Sequence, residues 1–313
     1  MAMPNKAYWD KRMEERFRPV ENLEREMGEK YVKAYNKVLE DYTNMLKPYQ
    51  LADGSYNFER LERDMFYSRA SSAKVGRYQG LLDRMDKLIN QLGADQEASF
   101  ESLLMNTYQD NYHELLFEIG KANGHQLQFN QLDPKRLKQT VHTAWAKDGH
   151  EFSDRIWHDK QLLSGNLRKV MDNAIASGEN PRNTARLLAN ATGNSYSNAR
   201  RVIRTETTAI IAESDKATYD ELGMEKYTYN ASFDDRTSDV CGDMDGEEFY
   251  LNQMVPGTNA PPLHPNCRST IEAIPITKTQ LSTKYARGAD GKPIRIPQSM
   301  TFKEYKKKVL DNG

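Results

Sequence analysis

Residues 195–232 read SYSNARRVIRTETTAIIAESDKATYDELGMEKYTYNAS, and two periods meet inside that stretch. From Ser195 to Glu221, Ala199, Val202, Ile203, Ala209 and Ile210 recur at helical spacing around the polar interruptions Arg200, Arg201, Arg204 and Glu206. Gly223 then stands where a helix ends in the left-handed conformation. Beyond it the period falls to two: Tyr227, Tyr229 and Ala231 alternate with Thr228, Asn230 and Ser232, which is the pattern of a strand. Residues 247–251 and 268–274 read as two more strands, so a short, mostly antiparallel sheet against two helices is expected. The fold class is α+β. Asn180-Pro181 opens the first of those helices with a cap-then-proline signal, and Gly193 is expected to separate it from the second.

The preceding half reads as long helices. Leu23, Met27, Tyr31, Tyr35, Val38, Tyr42 and Met45 lie on one helical stripe, which Lys47-Pro48 should stop. A second helix is expected over 58–92, with Val75, Tyr78, Leu82, Met85, Ile89 and Leu92 forming a coiled-coil-like seam, and a third over 97–119. Asp133-Pro134 opens a short helix through Trp145. Stripes rich in Tyr and Met rather than Leu and Ile suit contacts with a partner, although ordinary helix packing uses them too. Texture changes between Gly149 and Gly165, which divides the chain into an elongated helical docking region, 1–150, and an α+β domain, 151–275. Residues 276–313 carry Gly288, Gly291, Pro293 and Pro297 without a sustained period and read as a loose, basic, flexible tail.

Composition narrows the function classes. The chain has 313 residues and a mean hydropathy of −0.84, yet its 17 tyrosines and 10 phenylalanines argue against wholesale disorder. No run of about 18 apolar residues marks a membrane span. Two cysteines, Cys241 and Cys267, do not make a disulfide scaffold and fit a protein made in a reducing cytoplasm. A net charge of −1 hides asymmetry: residues 91–120 hold six acids and no Lys or Arg, whereas Lys284, Arg287, Lys292, Arg295, Lys303, Lys306, Lys307 and Lys308 make the tail basic. Such a tail is expected to follow the phosphates of double-stranded DNA without reading sequence, or to be a solvated end.

The densest cluster of unusual residues runs from Phe233 to Ile274. His264-x-x-Cys267 has the spacing of half a zinc knuckle, with Cys241 as a third ligand. Ser238 occupies the position where a fourth thiol would complete the set, and Asp239 or Asp243 could substitute. Three ligands plus water would describe a catalytic zinc site and three plus one of those carboxylates a structural one; the other reading is two reduced cysteines and a histidine in a Pro-rich turn with no cofactor at all. An enzymatic alternative, a zinc-dependent hydrolase or nuclease using Cys241, His264 and Cys267, has Glu206 or Asp245 as candidate bases, but two thiolates would blunt the metal's acidity. Arg236 and Arg268 read as internal partners of the nearby acids.

Taken in order, Arg204-Thr205-Glu206, Asp234-x-Arg236-Thr237-Ser238-x-x-Cys241, Met244-Asp245-Gly246 and the run Pro261 to Arg268 resemble the phage Mu F-type head morphogenesis domain of tailed bacteriophages. The resemblance covers about residues 165–275. It implies a non-enzymatic minor capsid protein assembled in the host bacterial cytoplasm and held in the virion, inside the capsid near the portal. The partners it implies are the portal protein and the scaffolding or major capsid protein, and, as for some members, packaged DNA with which they leave at ejection; no membrane is involved. It marks Arg204, Glu206, Asp234, Arg236, Asp245, Gly246 and Arg268 as structural motif residues.

Overall fold

Proline and capping side chains set the ends of the helices in this computed structural model, which describes residues 6–67, 72–122, 132–274, 283–287, 292–297, 300 and 302–310. Helix α1, Lys6–Leu46, stops where expected, at a single tight turn over Lys47–Tyr49. It begins well before the visible stripe and contains Pro19. Proline inside a helix costs about 3 kcal/mol, and the neighbouring burial of Phe17 and Val20 offsets that loss. Short α2, Phe58–Glu62, is capped by Asn57, whose side chain accepts from the Arg60 amide at 2.9 Å.

Helix α3, Ser72–Ala122, departs from expectation: 72–92 and 97–119 belong to one helix, which runs through Gly93. A Cβ at Gly93 would lie 2.9 Å from the Trp157 ring and 3.1 Å from Lys160 Cγ, so this glycine serves close approach rather than termination. Helix α4 is Pro134–Val141, capped by Asp133. Helix α5, Phe152–Ser177, fills the stretch that composition marks only as a boundary; Phe152, Ile156, Leu163, Leu167, Met171 and Ala174 are its buried stripe. Helix α6, Pro181–Glu221, also corrects the sequence reading by continuing through Gly193. Buried Leu188, Thr192, Ser195 and Ala199 hold both sides of that glycine, so packing overrides its helix-weakening entropy. Gly223, at φ +67°, ends α6, and the Met224 amide reaches back to the Tyr219 carbonyl at 2.9 Å.

The chain divides into two compact units, each assembled from distant segments. One comprises residues 22–99 and 153–200. Its core takes Val38, Tyr42 and Leu46 from α1, Tyr78, Met85 and Ile89 from α3, Leu163, Leu167, Met171 and Ile175 from α5, and Leu188 from α6. The Tyr- and Met-rich stripes are therefore largely covered within the chain. Two of their hydroxyls are matched there as well: Tyr31 meets Gln96 and Ser195, each at 3.2 Å, and Tyr78 donates to Asp172.

The other unit comprises residues 1–21, 100–152 and 201–313. Strands β1, Lys226–Asn230, β2, Glu248–Tyr250, and β3, Thr270–Ala273, form an antiparallel sheet in the order β2-β1-β3, with Tyr227 opposite both Phe249 and Ala273 and Tyr229 opposite Ile271. The α+β class is thereby established. Trp9, Leu115 and Ile119 pack in one cluster with Tyr219, Tyr227 and Ile271, so residues from the N-terminal half complete the core behind this sheet.

The described part of the C-terminal stretch is not loose. Strands β4, Thr283–Arg287, and β5, Pro293–Pro297, pair antiparallel, and helix α8 follows at Phe302–Tyr305. Ala286, Ile296 and Tyr305 are buried in a cluster with Tyr229, Phe233, Cys241 and Cys267, and the Tyr305 hydroxyl donates to the Phe233 carbonyl at 3.2 Å. Five-residue runs broken by Gly and Pro are too short to show a period, which is why sequence alone misses this packing.

Candidate functional site

Four elements converge on the two cysteines. Cys241 lies in helix α7, Asp239–Met244, and its amide is held at 3.3 Å by the side chain of the N-cap, Ser238. Cys267 lies in the segment leading to β3, which α6 grips through two threonines. Thr205 Oγ1 accepts from the Asn266 amide at 3.0 Å, and Thr208 Oγ1 donates to the Cys267 carbonyl at 2.6 Å. Asn266 takes the left-handed conformation, φ +60°, that the turn between His264 and Cys267 demands. From β1, the Tyr229 hydroxyl comes within 3.2 Å of Cys241 Sγ and 3.9 Å of Cys267 Sγ.

The two sulfurs are 3.6 Å apart, and His264 Nε2 is 3.2 Å from Cys241 Sγ. His264 Nδ1 is 2.8 Å from the Pro265 carbonyl, which only accepts, so Nδ1 carries a proton and Nε2 is the ring nitrogen that faces the sulfur. The Cys241 thiol is pushed down, first by the hydrogen bond from Cys267 and then, against the opposing effect of burial, by His264 and Ser238. Cys267 is pushed up by that same neighbour and by burial, and His264 is raised chiefly by Cys241. One sulfur thus takes thiolate character at the other's expense.

The donor set is suited to a soft divalent ion. The three ligand atoms lie within 4.8 Å of one another, and Cys241 and Cys267 are buried while His264 is half-buried. Tetrahedral zinc, with bonds of about 2.0–2.3 Å, holds its ligands about 3.3–3.8 Å apart, close to the 3.6 Å between the sulfurs and the 3.2 Å from His264 Nε2 to Cys241 Sγ. Among the described residues no carboxylate joins the group. Asp239, a candidate fourth ligand, pairs with Lys306 at 3.3 Å, and Asp243 is exposed.

The remaining motif residues brace this cluster. Asp234 accepts two bonds of 2.6 Å from the Arg268 guanidinium, one from the Arg236 amide at 2.9 Å and a longer one from the Arg236 side chain at 3.4 Å. Asp245 Oδ1 accepts from the Ala231 amide at 3.0 Å, and the Gly246 amide donates to the Tyr229 carbonyl at 2.9 Å, tying the end of α7 to β1. Glu206 is buried and accepts from the Trp145 indole at 2.6 Å, while Arg204 stands on the same helix with its carbonyl 3.2 Å from Thr208 Oγ1. The sequence reading missed Tyr229, Thr208 and Trp145. Tyr229 alone left a signal, its place on the inward face of the alternating strand.

Of the basic tail residues, Lys292, Lys306, Lys307 and Lys308 are exposed. Lys308 approaches Glu304 at 4.0 Å. The side chains of Lys284, Arg287, Arg295 and Lys303 lie outside the described residues.

Residues 165–272 match the family model described as Phage Mu protein F like protein. That stretch holds α6, the three-stranded sheet, α7 and the whole cysteine–histidine cluster with its Asp234–Arg268 brace. No curated protein and no solved structure matches the chain.

Proposed function

We propose, on the premise that residues 165–272 belong to the phage Mu protein F-like family, that this chain is a minor capsid protein of a tailed bacteriophage that acts in head morphogenesis. One observation carries the reading: the family-matched segment is the one in which the distant motif residues interlock, with Thr205 and Thr208 gripping the Asn266–Cys267 turn and Arg268 clasping Asp234. In this reading the protein sits inside the procapsid near the portal, with the portal protein and the scaffolding or major capsid protein as its partners. It acts there by assembly rather than catalysis. Both candidate bases support this, since Glu206 is engaged by Trp145 and Asp245 by the Ala231 amide. Among the described residues no helix is long and apolar enough to cross a membrane.

Contact with packaged DNA, and departure with it at ejection, is the finer part of the proposal, supported by the exposed Lys306, Lys307 and Lys308. Quantitative mass spectrometry of procapsids, filled virions and emptied particles tests both levels. A few to a few dozen copies per head, about the range of a portal-associated component, is expected in the first two, with loss after ejection. Absence from both particles overturns the assignment. Replacing the three lysines by glutamine should flatten the salt dependence of DNA binding, and an unchanged slope removes the DNA contact.

A further inference from the structure

We propose that Cys241, His264 and Cys267 bind one zinc ion through Sγ, Nε2 and Sγ, as a clasp between the separate parts of the family-matched segment. Geometry carries this. Three soft donors from two separate segments, α7 and the turn before β3, already converge to ligand spacing, with 3.6 Å between sulfurs and 3.2 Å from Nε2 to Cys241 Sγ. The imidazole is pre-oriented, because Nδ1–H is held by the Pro265 carbonyl and Nε2 is left as the donor, the outer arrangement that metal-binding histidines use. Thr208 fixes the Cys267 backbone and Ser238 caps the helix bearing Cys241, so neither thiol depends on the metal to find its place.

Two thiolates and a neutral imidazole select zinc over magnesium or calcium, which take oxygen ligands. On binding, Cys241 and Cys267 each lose a proton to solvent, His264 keeps its Nδ1 proton, and the clasp is electrically neutral. Neutrality matters here, since both sulfurs are buried beside Tyr229, Phe233 and Tyr305, where a charged cluster would be costly to desolvate.

The test uses the full chain, purified under reducing conditions, loaded with zinc chloride and freed of excess. Elemental analysis should find about one zinc per chain, and thiol titration after unfolding in chelator should find both cysteines reduced. Cobalt substitution should give thiolate-to-cobalt charge transfer and the intense visible bands of a tetrahedral site. Cys241→Ser and Cys267→Ser should lower zinc affinity at least about tenfold. If either fails to fold, His264→Ala, which alters a half-buried ring, provides the same readout: weaker zinc, and a melting temperature that no longer falls when chelator is added. A folded wild-type chain that takes up no zinc with both thiols free overturns the proposal. So does a Cys241–Cys267 disulfide under those conditions, or zinc retained undiminished by His264→Ala and by whichever cysteine variant folds. None of these readouts depends on phage assembly.

Discussion

Arg268 and Asp234 meet through two parallel contacts of 2.6 Å, Nη1 to Oδ2 and Nη2 to Oδ1, which join the end of the 261–268 run to the turn after β1. The carboxylate side is only 5% exposed. Burial pushes the Asp234 carboxyl up, but the Arg268 fork, the Arg236 amide and the Arg236 charge outweigh it and hold the group below its ordinary value. Removing the arginine would leave a buried charge without its main partner. Arg268→Ala is expected to cost about 2–4 kcal/mol, and Arg268→Lys, which keeps the charge and loses the fork, about half that. Because the folded value is depressed, this stabilisation is present above the unfolded carboxyl value near pH 4 and is lost as pH falls through the folded one. Urea midpoints of the wild type and Asp234→Asn across pH 2–6 check the sign; parallel curves would count against it.

Two glycines in long helices make opposite predictions. Gly93→Ala inserts a methyl against the Trp157 ring and Lys160 Cγ and should destabilise by about 1–3 kcal/mol. Gly193→Ala meets nothing within 4 Å and should stabilise by about 0.5–1 kcal/mol through helix propensity. Thermal unfolding of both variants decides whether α3 and α6 are continuous at these points, since a helix break at Gly193 would remove the gain.

Asp215 should impose a second pH dependence, of opposite sign to that of Asp234. Its fully buried carboxylate accepts from Asn111 at 2.7 Å and Thr270 at 3.3 Å, while Arg12 holds Asn111 in turn at 2.8 and 2.9 Å. Burial pushes the carboxyl up to about 6, against Arg12, Asn111, Thr270 and Arg16. A raised carboxyl favours the folded state while protonated, so its contribution is complete below about pH 4 and is lost as pH rises to about 6; the two-unit shift corresponds to about 3 kcal/mol. Asp215→Asn should remove that slope, which denaturant midpoints between pH 4 and 7 would show.

A fragment of residues 121–313 should not fold as an independent domain. It retains the whole family-matched segment but lacks Trp9, Leu115 and Ile119, each at most 1% exposed in the cluster behind the sheet. Losing several large apolar side chains from one core removes about 2–5 kcal/mol apiece, comparable to the whole stability of a domain. Circular dichroism should show residual helix with a broad, non-cooperative transition; a sharp one would mean that the N-terminal residues are dispensable.

What the sequence determined by itself was local. Caps and prolines located the helix ends at Leu46, Pro134 and Pro181, Gly223 closed α6, and the change of period after it placed β1 and with it the α+β class. The spacing of His264 and Cys267, with Cys241 upstream, was enough to nominate the ligand atoms that the fold brings within 4.8 Å of one another. Only the tertiary structure decided the rest. It carried α3 and α6 through glycines, covered the Tyr and Met stripes within the chain, and recruited Trp9 to the core behind the sheet. It also set Tyr229 and Thr208 against the cysteines and packed Tyr305 over Phe233. The division has a physical cause. Caps and periods are written by interactions between residues about four positions apart, which a sequence displays directly. The decisions left to the fold depend on burial against partners tens to hundreds of positions away, where the energy lies in the match between two surfaces and neither shows it alone.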